Sequence, residues 1–213
     1  MLSIQYRFLF IHVPKTGGNS IQSVLEKYSE DRLVTPDRCH DGVERFEVSN
    51  ADYPFEKHCP LWKYRKYLPN DLYPQLFRFG TVRNPWEMLI SLYFSPNQNR
   101  TQWCRDTFVK LIDGAQRARW FLRDSIPGTK LENAQHTSMN SMPSYWSVDH
   151  VMRFENLQND FDQVCKKIHI TPETLPHRNR SNRNDYRTYY DRDLIGMVAA
   201  KFSDEIEFGD YQF

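Results

Sequence analysis

The sequence predicts an α/β fold in which a central parallel sheet is flanked by helices, three layers in a single domain over residues 1–213. Two observations carry that prediction. Short apolar runs alternate with stretches whose apolar residues recur at helical spacing. At 213 residues the chain also suits one substantial core, and no internal repeat, low-complexity tract or interdomain linker divides it. In such sheets ligands gather beyond the carboxyl ends of the strands.

The first strand covers residues 6–13 and the first helix about 18–28, with Ile21, Val24, Leu25 and Tyr28 on one face. Residues 29–56, with Pro36, Pro54 and several Asp and Asn, read as loop with little regular structure, and 56–61 as a short strand. A strong strand at 76–82 enters Arg83-Asn84-Pro85-Trp86-Glu87. There Asn84 suits an N-cap, Pro85 the first helical position and Glu87 the closing residue of a capping box. Trp86, Leu89, Ile90 and Tyr93 mark the core face of the helix that follows, and Ser91 falls off that face. Residues 107–122 read as one helix, 123–147 as loop and 148–154 as a strand. Leu157, Phe161, Val164, Cys165 and Ile168 make another helical stripe. A basic, asparagine-rich loop at 177–187 and a closing helix at 192–202 complete the order.

Composition narrows the classes of function. Charged residues are 26%, hydrophobic residues 39% and aromatic residues 15%, but the formal net charge is only +1. An anion site must therefore come from local clustering, and no nucleic-acid partner is expected. Cys39, Cys59, Cys104 and Cys165 are irregularly spaced, with no Cys-x-x-Cys pair and no zinc-type His/Cys spacing, so free thiols and no metal are expected. The core pattern starts within the first ten residues, and no apolar run approaches membrane-spanning length. These features predict a soluble, cytoplasmic protein; they leave the oligomeric state open.

The most chemical stretch is Phe8-Leu-Phe-Ile-His-Val-Pro-Lys-Thr-Gly-Gly-Asn-Ser20. A buried strand, a tight glycine turn and the start of an amphipathic helix make a place for an anion, because a helix N-terminus presents unpaired N–H groups and partial positive charge. Lys15 adds a full charge, and Thr16, Asn19 and Ser20 add side-chain donors. The ATP-binding loop carries its lysine after the last glycine. Here Lys15 precedes Gly17 and Gly18. A second strand end, Phe77-Arg-Phe-Gly-Thr-Val-Arg-Asn-Pro-Trp86, supplies Arg83, and Ser91 follows eight residues later. Arg83 can grip a phosphate with a bidentate fork and Ser91 can donate a hydroxyl. Fold logic puts Lys15 and Arg83 on one rim of the sheet.

The first stretch resembles the 5′-phosphosulfate loop of sulfotransferases, and Arg83 with Ser91 resembles their 3′-phosphate motif. Val151-Met-Arg-Phe-Glu-Asn-Leu157 with Asp160 and Phe161, then Asn179, Ser181, Arg183, Tyr186, Tyr189, Tyr190 and the ending Asp210-Tyr-Gln-Phe213, resemble later segments. The resemblance is strongest to carbohydrate sulfotransferases, heparan sulfate 2-O-type enzymes and bacterial relatives. It implies a P-loop-type domain, the donor 3′-phosphoadenosine 5′-phosphosulfate (PAPS), no metal, and a hydroxyl-bearing acceptor that is a carbohydrate. Pro14, Lys15, Thr16, Gly17, Gly18, Asn19 and Ser20 would cradle the 5′-phosphate, with Lys15 at the leaving oxygen. Arg83, Ser91, Arg183 and Tyr186 would bind the rest of the nucleotide.

The acceptor hydroxyl needs a base, and His58 is the first choice, since histidine transfers protons near neutral pH. Glu56 and Glu155 are rivals, His136 and His150 weaker ones, and His12 reads as structural. The loop carrying Arg178, Arg180, Arg183 and Arg187 either closes over the nucleotide or is a solvated face. Trp62, Trp103, Trp120 and Trp146 either stack on sugar or pack in the core, and residues 133–146 are placed at the acceptor cleft by position alone. A P-loop small-molecule kinase and a non-catalytic nucleotide-binding module are the alternatives. The kinase needs a Mg²⁺-holding carboxylate after a strand, for which Glu155 is the one tempting choice.

Overall fold

The computed structural model describes residues 1–35, 46–125, 146–176 and 183–213. Its central sheet has four strands, β1 (Leu2–Ser3), β2 (Phe8–Ile11), β5 (Phe77–Val82) and β6 (His150–Arg153), in the order β1-β2-β5-β6. β2, β5 and β6 are parallel, with Phe10 opposite Phe79 and Gly80 opposite Val151. The three strong strand predictions are these three strands. β1 is antiparallel to β2 and was not foreseen: two residues give no periodicity to read.

Alternation along the strands builds two cores. Phe8, Phe10, Phe79 and Met152 face α1 (Gly18–Leu25) and α6 (Leu157–Lys167), which contribute Ile21, Leu25, Phe161 and Val164. Leu9, Ile11, Val82 and Val151 face α2 (Leu61–Tyr67) and α5 (Ala118–Leu122), which contribute Tyr64, Phe121 and Leu122. Gly80 is needed on that second face: a Cβ there would sit 2.5 Å from Leu122 Cδ2. A third core joins α3 (Pro85–Tyr93), α4 (Arg105–Gly114) and α7 (Arg192–Lys201) through Leu89, Phe108, Leu194 and Val198. Fully burying side chains of this size contributes roughly 1.5–3 kcal/mol each.

Several boundaries correct the expectations. Residues 56–61 form no strand; Pro60 opens α2 instead, and Leu61, Tyr64 and Leu68 are its buried stripe. Within 29–56, read as loop, β3 (Arg32–Val34) and β4 (Glu47–Ser49) pair as a separate antiparallel ladder, Leu33 opposite Val48. The single helix read at 107–122 is two. α4 stops at Gly114, a weak helix former, and Ala115 is extended. Glu205, buried on α8 (Ser203–Gly209), then accepts the first N–H of α5 from Ala118. α8 itself was not predicted. α3 starts at the predicted cap, Asn84 accepting from Trp86 N at 3.0 Å and Glu87 N at 3.3 Å, but Glu87 does not close the capping box: Asn84 N donates to Glu155 Oε1 at 2.8 Å.

Candidate active site

The site lies where the three parallel strands end. β2 leads to Lys15, β5 to Arg83 and β6 to Phe154. Arg83 Nη1 donates to the Lys15 carbonyl at 3.1 Å, and its guanidinium lies 3.9 Å over the Phe154 ring. Residues 68 positions apart in sequence thus share one rim, as the parallel sheet requires.

The loop between β2 and α1 is shaped by two left-handed residues, Lys15 (φ 66°) and Gly17 (φ 86°). Gly17 caps α1 without a side-chain bond to the helix. A Cβ on Gly17 would lie 2.7 Å from Leu157 Cδ2, so only glycine fits that turn. Thr16 is buried and donates its hydroxyl to the Val13 carbonyl at 2.8 Å. That side chain closes the loop and offers a ligand only its backbone. Pro14 and Asn19 are half-buried, Gly18 and Ser20 buried. Gly18 gives its space to the ring of His12, which a Cβ there would overlap.

Lys15 Nζ donates to Ser95 Oγ at 3.4 Å. Burial, then the neighbouring cations Arg83, Arg183 and Lys57, lower its pKa to about 8. Arg83, Glu87, Ser91 and Ser95 recur every four residues along and just past α3, so they run down one side of it. Arg83, Ser91 and Ser95 are all buried. Ser91 was read as off the core face, but α3 is covered on that side too. Glu87 Oε1 lies 2.9 Å from Arg83 Nη2 and 3.3 Å from Arg183 Nη2. Among the described residues the buried Nε of Arg83 has no partner.

His58 stands in the turn before α2, not at a strand end. Its Nδ1 lies 3.1 Å from the His12 carbonyl oxygen. A carbonyl only accepts, so Nδ1 carries the hydrogen and Nε2 is the free base. The residue is exposed. The surrounding protein, with Lys57 and Lys15, still lowers its pKa. His12 is buried, and its Nδ1 is 2.9 Å from Gln22 Oε1.

The other predicted residues divide. Arg183 and the buried Tyr186 come to the start of α3, whereas Arg187 is exposed and pairs with Asp185 at 3.6 Å. Glu155 accepts from Asn84 N at 2.8 Å and from the Tyr211 hydroxyl at 2.7 Å. Glu56 is an exposed partner of Lys63 at 3.3 Å. His150 sits within β6, half-buried. Trp146 is buried against Phe208, Trp103 packs with Tyr93 and Phe108, Trp62 is half-buried and Trp120 is 38% exposed. Arg178, Arg180, His136 and residues 133–145 lie outside the described residues. Sequence reasoning missed Ser95, Glu87 as an arginine partner, and Phe154. The four-residue spacing from Arg83 was the available signal for the first two.

The residues suit an anionic nucleotide: a glycine turn with no room for a side chain, three cations and a buried guanidinium N–H that has no partner among the described residues. Among the described residues, no helix is long and apolar enough to cross a membrane. No curated protein and no solved structure matches the chain significantly. The model of the sulfotransferase family matches residues 1–211. That match covers nearly the whole chain and agrees with the loop, the arginine and the sheet, so the chain belongs to the sulfotransferase family, whose sulfuryl donor is PAPS.

Proposed function

We propose that the chain, acting as one domain, moves the sulfuryl group of PAPS to a carbohydrate hydroxyl, with Lys15 and His58 as the catalytic residues. PAPS supplies the sulfuryl group and a phosphate leaving group. The observation that carries the proposal is the meeting of Lys15, Arg83 and Arg183 beside the glycine turn. Pro14 to Ser20 hold the 5′-phosphate, and Lys15 faces the oxygen of the breaking bond. Arg83 and Ser91 hold the 3′-phosphate, with Arg183 and Tyr186 beside them. His58 Nε2 takes the proton of the acceptor hydroxyl. By analogy with phosphoryl transfer, alignment and fixed charge do most of the work.

A carbohydrate acceptor is supported by the resemblance of the later segments. A cytoplasmic setting is supported by the free thiols of Cys59, Cys104 and Cys165. The test combines ligand stabilisation with an acceptor screen. 3′-Phosphoadenosine 5′-phosphate (PAP) should raise the melting temperature without added metal. Labelled PAPS should pass its sulfur to a glycan hydroxyl. Stabilisation by ATP–Mg²⁺ alone would return the reading to the kinase.

A further inference from the structure

Glu87 has no part in the transfer just described. It lies one turn after Arg83 on α3, and its carboxylate bridges two guanidinium groups that come from distant parts of the chain. Both arginine side chains are 9% exposed, and the carboxylate is 31% exposed. Two buried cations in one site repel, and the low local dielectric strengthens that repulsion. A carboxylate shared between them offsets it, holding Arg183 by a charge-assisted hydrogen bond and Arg83 by an ion pair.

The geometry of Arg83 says what this is for. Nη1 is engaged by the Lys15 carbonyl, Nη2 by Glu87, and one face by Phe154. Among the described residues, its buried Nε has no partner. These three contacts together hold the guanidinium in one orientation. Its remaining N–H groups are thereby fixed in direction.

We propose that Glu87 is a positioning and specificity-determining residue: it brackets Arg83 and Arg183 so that they select a nucleotide carrying a 3′-phosphate over one that lacks it. This rests on the assignment of Arg83 to the 3′-phosphate. A ligand with a bare 3′-hydroxyl leaves the two arginines with Glu87 and gains nothing from them. A 3′-phosphate meets donors already held in place and loses no binding energy to ordering them.

The test is calorimetric titration of the full chain with PAP and with AMP, which differ only in the 3′-phosphate. Wild type should prefer PAP. Glu87→Gln should lower the PAP-to-AMP affinity ratio by about tenfold while AMP affinity stays within about twofold. Glu87→Asp, which keeps the charge, should recover part of the ratio. Arg183→Gln should lower the ratio as well, and adding Glu87→Gln to it should cost less than Glu87→Gln costs alone. A merely structural role would weaken both nucleotides together. A ratio that is unchanged or higher in Glu87→Gln overturns the inference. Should Glu87→Gln not fold, the same ratio left unchanged by Glu87→Asp and by Arg183→Gln overturns it equally. A wild-type protein that does not distinguish PAP from AMP overturns the Arg83 assignment instead, so the two failures are separable.

Discussion

The imidazole of His58 packs on that of His12, ring centroids 4.4 Å apart, while its Nδ1 is fixed by the His12 carbonyl oxygen. The residue before the phosphate loop therefore sets the tautomer of the proposed base. His58→Gln should lower kcat by about 10²–10⁴. PAP affinity should stay within about twofold, because the proposal assigns His58 to the acceptor and not to the nucleotide. Steady-state rates and PAP titration of the same preparation check both halves. Unchanged turnover would remove His58 from the mechanism.

The pH profile of kcat/KM should be a bell set by two depressed groups. Partial desolvation of the ring by the surrounding protein, then Lys57 and Lys15, lowers the pKa of His58, so the base stays neutral into the ordinary histidine range and rate falls only on its acid side. Lys15, lowered to about 8 by burial and by Arg83, Arg183 and Lys57, loses its charge as pH rises, and the rate falls with it. Lys15→Ala should cost about 10²–10³ in kcat. Lys15→Arg stays charged throughout, so its residual activity should lack the alkaline limb.

Burial also holds the pKa of His12 well below the histidine range, with His58 and Lys57 adding to the effect. Below about pH 6.5 the unfolded chain binds a proton at this position and the folded chain does not, so stability must fall as pH falls. The slope from this one group reaches at most about 1.4 kcal/mol per pH unit. Denaturant melts at neutral and mildly acid pH should show it, and His12→Asn should flatten it. An identical slope in the variant would mean that other groups govern the acid side.

The parts of this chemistry that were legible in sequence are those written in contiguous residues. Pro14 to Ser20 announce the glycine turn between β2 and α1 because paired glycines stand between an apolar run and a helical stripe. Asn84-Pro85 announces the start of α3 by capping chemistry alone. The strands β2, β5 and β6 were readable because each is buried on both faces. What was not legible depends on distant pairs. Glu87 reads as a capping-box residue, and nothing local says that Arg183 will reach it. Ser95 follows a helix end without a motif, and only the third dimension brings it to Lys15. Residues 56–61 were read as a short strand although Leu61, Tyr64 and Leu68 already carry helical spacing. The β3–β4 ladder buries too few side chains to leave a pattern.

The glycine turn tests how far the loop is fixed by backbone shape and not by its donors. Gly17 is held at φ 86°, where a Cβ is strained, and the room a methyl would need is filled by Leu157 and Phe154. Both effects act in the same direction, and left-handed strain alone costs roughly 1–3 kcal/mol. Gly17→Ala should therefore destabilise the protein by at least about 1 kcal/mol. It should also push Phe154 away from beneath Arg83, so PAP affinity should fall by more than AMP affinity. The alanine removes no charge and no donor, which separates this result from that of Lys15→Ala. Denaturant melts with paired PAP and AMP titrations provide the check. A stable Gly17→Ala protein with wild-type PAP affinity would show that the left-handed turn is not what shapes the site.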